Sequence, residues 1–542
     1  MISTYTLNHF GLISGICKEL DIIGFIDRLI PVDPQQKVTT GQAVVSMIIN
    51  GLGFSNRQLY LYPQFFEKKP VELLIVKGIY ADDLNDDTIG RALDRVFMYG
   101  CTELFCYLSY SVTKQMMVEK KYGHLDSTTF SVHGEYHSSE SEDAVVHITH
   151  GHSKAKRPDL KQIYLNLLVS YDGGIPLFMQ ALDGNSSDPV TFRNTVKEFK
   201  KGLKQHLQEI TYLIADSKFY CKETIRQVKQ DIFWISRVPD TLTEADILIQ
   251  ETARNLTGLR PLQDGYRYTV HRSTYGGIRQ RWLIIYSPQA FEKAKKTVKG
   301  LQTKELEKIS KQLKTLQKKT FYCKKDACDA LTHLKIKCTL HQIFLDDVMI
   351  KKTYCRRGRP SKKKTDEHIT TYHPQYTVKP DLDKIEYMTR MKALFILASN
   401  ELREKKLSDL EIFSNYKNQR MVENGFRFLK DPLFFASSLF LKKPERIVAL
   451  TMIMCIALLV YSIGERKLRL LLKQYNETIH DQIKKPTYTP TLRWIFQLFE
   501  DVHLIKIEEN NKTYYEVKNL RPDAEKTLRI LGRTYMEPYL LT

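Results

Sequence analysis

The sequence predicts an α/β protein: a mixed-sheet core that follows a helical N-terminal region and precedes a small C-terminal α+β region. Three observations lead there. Apolar residues recur at helical spacing through residues 1 to 118. The period shortens to that of strands at "YGHLDSTTFSVHG". An antiparallel hairpin pattern is then followed by strand, helix and strand, as in an α/β core. At 542 residues and 42% hydrophobic content, the chain can build about three or four domains with real cores.

In the N-terminal region, "TTGQAVVSMIING" opens on Thr39 or Thr40 as N-cap and is stopped by "GLG". "DDTIGRALDRVFMYG" sets Ile89, Leu93, Val96 and Phe97 on one face and Arg91 and Arg95 on the other. Such basic outer faces suit a DNA-contacting or dimerising module, and equally a helical domain with solvated arginines. In the core, "IYLNLLVSY" and "IPLFMQAL" flank an Asp172-Gly173-Gly174 turn. "TYLIAD", "CKETIRQVKQ" and "IFWISRV" then read as strand, helix and strand.

Residues 238 to 400 become irregular and look inserted. They hold a strand-rich part, "GYRYTVHRSTYGGIRQRWLIIYS", a long helix from about Ala290 to Lys319, and further strands. The long helix carries ten lysines between Lys293 and Lys319 beside a spine of Val298, Leu301, Leu306, Ile309, Leu313 and Leu316. It reads either as a solvated coiled-coil-like arm or as a phosphate-tracking surface. In "RRGRPSKKK", Arg357 and Arg359 could enter a narrow A·T minor groove, or the run is a basic loop extended by its own charge. The tail reads as helix, strand, Asn-Asn-Lys turn, strand, helix.

The net charge of +20 favours a polyanionic partner, nucleic acid first and an anionic membrane second. No basic n-region and apolar core of a secretory signal opens the chain. The apolar run Ile447 to Ile463 is shorter than the ~20 residues of a bilayer span and is bracketed by "KKPER" and "GERK", so a buried core helix is expected. Nine cysteines without a Cys-x-x-Cys pair suit reduced thiols in a cytoplasm. Cys323, Cys328, His333, Cys338 and His341 resemble a zinc knuckle only loosely, because the opening gap is too wide. The same stretch reads as a helix followed by a strand. His147, His150 and His152 in "HITHGH" are expected on a mobile loop.

The chemistry resides in acidic residues. Asp126 lies in the first core strand, followed by Ser127, Thr128 and Thr129, and Asp216 ends the strand "TYLIAD", where strands present ligands to a crevice. In "YKNQRMVENGFRFLK", a helical advance of about 100° per residue puts Tyr416, Arg420, Glu423, Arg427 and Lys430 in one stripe. Alone, that stripe is a set of surface ion pairs. With two strand aspartates it becomes a hard-oxygen set suited to Mg²⁺, flanked by cations that grip phosphates.

These segments, "HLDSTTF", "IADSKFY" and the run from Tyr416 to Lys430, resemble the active-site segments of DDE transposases from bacterial insertion sequences. They are similar to the insertion sequence four superfamily with its Tyr-x2-Arg-x3-Glu-x6-Lys signature. Residues 151 to 176 and 84 to 100 resemble blocks of its 1634-type branch. Tyr416, Glu423 and Lys430 occupy signature positions, whereas the signature arginine falls on Gln419 and Arg420 follows it. The resemblance implies a ribonuclease-H-like mixed-sheet catalytic core, residues 119–237 and 401–475, interrupted by a largely β-strand insertion domain, 238–400. A helical N-terminal domain, 1–118, and a C-terminal region, 476–542, complete it. It implies Asp126, Asp216 and Glu423 as catalytic ligands of two Mg²⁺ ions, with Mn²⁺ able to substitute. Tyr416, Gln419, Arg420, Arg427, Lys430, Arg357, Arg359, Lys154 and Arg157 would contact DNA. The implied activity is cut-and-paste transposition in the cytoplasm, at the nucleoid. Its partners are double-stranded DNA, as terminal inverted repeats and target, and a second copy in a synaptic complex. Two competing readings are a structure-selective nuclease and a domesticated DNA-binding protein without catalysis.

Overall fold

The computed structural model describes every residue except 1, 55–60, 133–145, 153–156, 187–209, 229–231, 336–337, 355–367, 432–440, 442, 510–511 and 542. It divides into two units. One comprises Met1–Ser236, Thr274–Arg279 and Ser399–Thr542, and the other Arg237–Ser273 and Gln280–Ala398. Lys154, Arg357 and Arg359 lie outside the described residues.

The first unit begins with β1 (Ile2–Thr6), α1 (Phe10–Glu19), α2 (Thr40–Leu52), α3 (Asp86–Tyr99) and α4 (Cys101–Gln115). Thr39 caps α2 in a reciprocal box with Gln42, whose side chain accepts from the Thr39 N–H. Two otherwise orphaned N–H groups are thereby satisfied. Asn85 caps α3 through the Thr88 N–H, and Ile89, Leu93 and Val96 form its buried stripe.

The sheet of this unit uses β2 (Tyr122–Val132), β3 (Lys161–Ser170), β4 (Pro176–Leu182), β5 (Tyr212–Ala215) and β6 (Phe233–Arg237), with α5 (Lys222–Val228) between the last two. Strand order is β4-β3-β2-β5-β6. β3 is antiparallel to β2 and β4, whereas β5 runs parallel to β2 and β6 parallel to β5. The fold is therefore α/β with a mixed sheet. Gly173 and Gly174 adopt φ of +85° and +64° in the β3–β4 turn, a region that costs glycine nothing.

After residue 399 come α6 (Asp409–Lys417), α7 (Arg420–Leu429), α8 (Pro444–Gln474) and α9 (Leu492–Leu498). β7 (His503–Glu509), β8 (Lys512–Lys518) and α10 (Pro522–Leu531) close the unit, and β1 joins β7 and β8 in a second sheet. The apolar helix α8 has 89% of its most apolar window buried inside the protein, so its hydrophobicity serves the core. Three ion pairs fix it. Arg446 binds Asp94 of α3 through two 2.7 Å bonds. Arg466 binds Asp172 of the β3–β4 turn at 2.9 and 2.6 Å. Lys467 binds Glu19 of α1 at 2.6 and 2.7 Å. Gly90 leaves room for the first pair: a Cβ there would stand 2.6 Å from Arg446 Nη1.

The second unit corrects one expectation, because it is not largely β-strand. Its helices Thr243–Arg254, Pro288–Gln317, Lys324–Lys335 and Leu382–Ala393 hold 12, 30, 12 and 12 residues and outweigh its strands. Apolar residues at four-residue spacing, Ala245, Ile249 and Ala253, account for the first. Asp381 caps the last through the Lys384 N–H. The strand content lies in Arg267–Tyr275 with Ile278–Tyr286, apart from their tip Thr274–Arg279, in Leu394–Ser399 up to Ala398, and in the long hairpin His341–Tyr354/His368–Pro380.

The Arg466–Asp172 pair is mostly buried, at 14% and 26% exposure. Arg466 also donates to the carbonyls of Met116 and Met117. Arg466→Ala strands a carboxylate and two carbonyls, and should lower unfolding stability by roughly 2–4 kcal/mol in chemical denaturation. A change under about 0.5 kcal/mol, the range of ordinary surface substitutions, would contradict the anchoring role.

Candidate functional site

Asp126 and Asp216 come together through strand register. β2 and β5 pair in parallel with Leu125 opposite Ala215, so the next residue of each strand is Asp126 and Asp216. Carried one residue past the end of β5, the register puts the two on one face of the sheet, at the usual strand spacing of about 4.8 Å. Asp126 Oδ1 accepts from the Ser127 N–H at 2.7 Å, and Asp216 Oδ1 accepts from the Lys218 N–H at 3.0 Å. Each carboxyl is thus oriented by its own turn of backbone. Both are half-buried.

Glu423 arrives from α7 on the same face. Asp126 pairs with Leu167 of β3, and directly opposed residues of an antiparallel pair share a face. A Cβ on Gly425 of α7 would lie 3.6 Å from Leu167 and 3.3 Å from Leu458 of α8. The helix therefore lies between that face of the sheet and α8. Met421 on one flank reaches the β3–β4 turn, 3.5 Å from a Cβ on Gly174. On the other flank Lys430 Nζ stands 5.9 Å from the Phe130 ring of β2. Glu423 shares the Lys430 flank, two turns earlier, and is exposed. Among the described residues no three His, Cys, Asp or Glu stand close enough to hold a metal ion as they are. The strand register places Asp126 beside Asp216, and Glu423 is carried by a helix packed on the same face of the sheet.

The stripe from Tyr416 to Lys430 is not one helix. α6 ends at Lys417 and α7 starts at Arg420. At the junction the Met421 N–H bonds Asn418 O at 2.9 Å and the Val422 N–H bonds Gln419 O at 3.2 Å, three-residue bonds that tighten the turn. Tyr416 thus belongs to α6, and Gln419 is the N-cap of α7. Among the described residues Glu423 has no ion pair. Arg427 instead donates to Asn424, and Arg420 is exposed. The expected surface pairing of Glu423 with Arg420 and Arg427 does not form. Arg157 forms an exposed pair with Asp159 at 2.7 Å.

The strand residues flanking Asp126 are buried. His124, two residues before Asp126, is fully buried, and desolvation lowers its pKa to about 4, so it is neutral near pH 7. Thr128 and Thr129 are buried strand residues. The "HITHGH" segment is not a free loop. Thr149 bridges Gln162 of β3, and the His147 N–H binds Asp183 at 2.7 Å. Of the Cys and His cluster, His341 is already engaged with Glu305 at 2.8 Å.

Two supports escape the sequence. Glu411 of α6 accepts from the Tyr122 hydroxyl at 2.9 Å and from Lys121 at 3.2 Å. Burial would raise its pKa, but bonds from Ser408, Tyr122 and Lys121 outweigh that and hold it down to about 2. The second support is Tyr275. It stacks on Tyr220 at 5.2 Å and 12°, and Phe219 and Tyr220 pack on Trp234. This aromatic group clasps the turn after Asp216, whose carbonyl also accepts from Ser236 at 2.8 Å. The spacing "STYGG" signals a hairpin tip in the sequence, but not what the tip touches.

Residues 121–460 match the family described as "Transposase DDE domain", and residues 2–110 match a domain of unknown function, DUF4277. No curated protein matches. Among solved structures the chain is similar to a piggyBac transposase synaptic complex with hairpin DNA, determined by cryo-EM. The identity is 8% and the TM-score 0.37, with 92% of this chain and 82% of that chain covered.

Two outcomes follow for the supports. Because the folded pKa of Glu411 is depressed, its contribution to stability is present above the unfolded value near 4.5 and lost as pH falls towards 2. Glu411→Gln should flatten the loss of unfolding stability between about pH 4.5 and 2; an unchanged acid limb would refute the assignment. Gly276 has φ of +62° with Ile225 Cγ2 3.1 Å from a would-be Cβ. Gly276→Ala should lower stability by at least ~1 kcal/mol, and a neutral effect would show that the tip is not held as described.

Proposed function

Because the chain belongs to the transposase DDE-domain family, matched over residues 121–460, we propose that it performs cut-and-paste transposition of its own element. One observation carries the reading: in-register pairing of β2 and β5 sets Asp126 beside Asp216, under a helix bearing Glu423. The strand order β4-β3-β2-β5-β6, antiparallel then parallel, supports a ribonuclease-H-like core formed by residues 119–237 and 401–475. On this reading residues 1–118 bind DNA or dimerise, 238–400 are an insertion domain, and 476–542 a C-terminal region.

Asp126, Asp216 and Glu423 would hold the divalent cations that such enzymes use. The donor set fits Mg²⁺ or Mn²⁺, because all three are hard oxygens and two are neighbours. Bound, the ions supply Lewis acidity at the scissile phosphate and a readily ionised attacking oxygen. The remaining residues position DNA. Arg420 and Arg427 are exposed on α7 and offer charge-assisted bonds to phosphates. Lys430 is held over Phe130, a fixed point on the same flank as Glu423. Gln419 sits at the N-terminus of α7, where backbone N–H groups favour an anion, and contacts phosphate as a neutral donor. Tyr416 reaches the same DNA from α6. Lys154, Arg157, Arg357 and Arg359 add backbone and minor-groove contacts.

The reaction is hydrolysis of the phosphodiester at each terminal inverted repeat, releasing a 3′-hydroxyl. That hydroxyl then attacks a target phosphodiester in a transesterification, which joins it to the target's 5′-phosphate and releases the target's 3′-hydroxyl. Two ends must be held at once, so the working form is a dimer on DNA, in the cytoplasm at the nucleoid.

With end-sequence DNA and supercoiled plasmid, the wild-type chain should give joined products dependent on Mg²⁺. Asp126→Ala, Asp216→Ala and Glu423→Ala should each lower cleavage by about a thousandfold or more and still bind end DNA. Retained cleavage in any of them would remove that residue from the site. Cleavage without joining in the wild type would make the chain a nuclease.

A further inference from the structure

The helix Pro288–Gln317 carries a lysine face that the reaction above does not use. At 100° per residue, Lys304, Lys308, Lys311, Lys314 and Lys318 fall within a sector of about 120°. Ala294, Val298, Ile309, Leu313 and Leu316 are buried on the opposite side. Ile309, Leu313 and Leu316 pack with Leu331 of the Lys324–Lys335 helix and Ile343 of the long hairpin. The buried side is therefore braced and the lysine side faces solvent, where all five lysines are exposed.

The acids that could neutralise this face are mostly turned elsewhere. Glu305 points inward and accepts from the Thr339 and Leu340 N–H groups and from His341. Glu292 pairs with Lys295 at 2.7 Å. Glu307 alone of the helix's glutamates shares the lysine sector. Among the described residues none of the five lysines has an ion-pair partner. They stand as successive three- and four-residue neighbours, an arrangement that destabilises a helix through like-charge repulsion.

We propose that this face docks on the phosphate backbone of duplex DNA, independently of sequence. From Lys304 to Lys318 the lysines span about 21 Å of helix axis, the axial length of about six phosphates of one strand at ~3.4 Å each. Their flexible stems let each ammonium reach a nearby phosphate. The long helix gives a rigid contact of several phosphates without base readout, which suits target DNA of arbitrary sequence. The proposal rests on the reading of the chain as a DNA transposase, and it assigns a partner to a surface outside the carboxylate site.

The test compares the full-length wild-type chain with the fivefold variant K304Q/K308Q/K311Q/K314Q/K318Q, since Gln keeps helix propensity close to that of Lys. Anisotropy of a labelled random-sequence duplex is measured in EDTA over a series of KCl concentrations. The slope of log Kd against log salt should become shallower by about 0.9 for each phosphate that is no longer neutralised, about two to four phosphates in all. Affinity at low salt should fall more than about tenfold. The matching fivefold Lys→Arg variant should keep both. A Gln variant of unchanged circular dichroism with wild-type slope and affinity would overturn the proposal. So would a variant that loses binding to anionic vesicles but not to DNA. Because nothing is cleaved in EDTA, the result stands apart from that of the Asp126, Asp216 and Glu423 variants.

Discussion

The parallel register of β2 and β5 is the constraint on which the rest of the structure depends. Side chains alternate across a strand, so a slip of one residue would send Asp216 to the opposite face from Asp126. The register is set at the start of the two strands. The Thr211 and Tyr212 N–H groups both donate to Lys121 O at 3.0 Å, and Tyr122 stacks on Tyr212 at 5.4 Å. Tyr122 is in turn held by Glu411, and the Tyr212 hydroxyl donates to Lys406 O at 3.2 Å. The segment that delivers α7 thus also locks the strands that deliver the aspartates.

The second requirement is a helix that can lie close to the sheet. α7 faces Leu167 of the sheet at Gly425, and α8 supplies the back wall through Leu458. Its three ion pairs tie that wall to α1, α3 and the β3–β4 turn. The long apolar helix and the charged site are parts of one arrangement: α8 buries α7, and α7 carries Glu423.

Elements with strong local signals were legible in the sequence. The Thr39 cap, the alternating strands around Asp126 and Asp172-Gly173-Gly174, and the long lysine helix each follow from one stretch of chain. Asp126 and Asp216 could be chosen as a pair because each ends or sits within a readable strand. What escaped were features set by tertiary contact. The break at Asn418 and Gln419 hides inside a periodic stripe, since helical spacing of side chains does not report which carbonyl each N–H meets. The helical weight of the second unit was underestimated because its strands are rich in aromatic and β-branched residues and dominate the pattern. Tyr275 lies far from Asp216 in sequence, and only the folded chain seats it on Tyr220. Glu411 reads as a capping residue for α6, which it is, and its second bond to Tyr122 has no local signature.

The central claim is that Asp126, Asp216 and Glu423 share one cation site when DNA is bound. Anomalous diffraction from Mn²⁺-soaked crystals of the chain with its end DNA tests it most directly. The account predicts manganese peaks within bonding distance of Asp126 and Asp216, with Glu423 completing the coordination. Peaks ligated by other residues, with the two aspartates left uncoordinated, would contradict it.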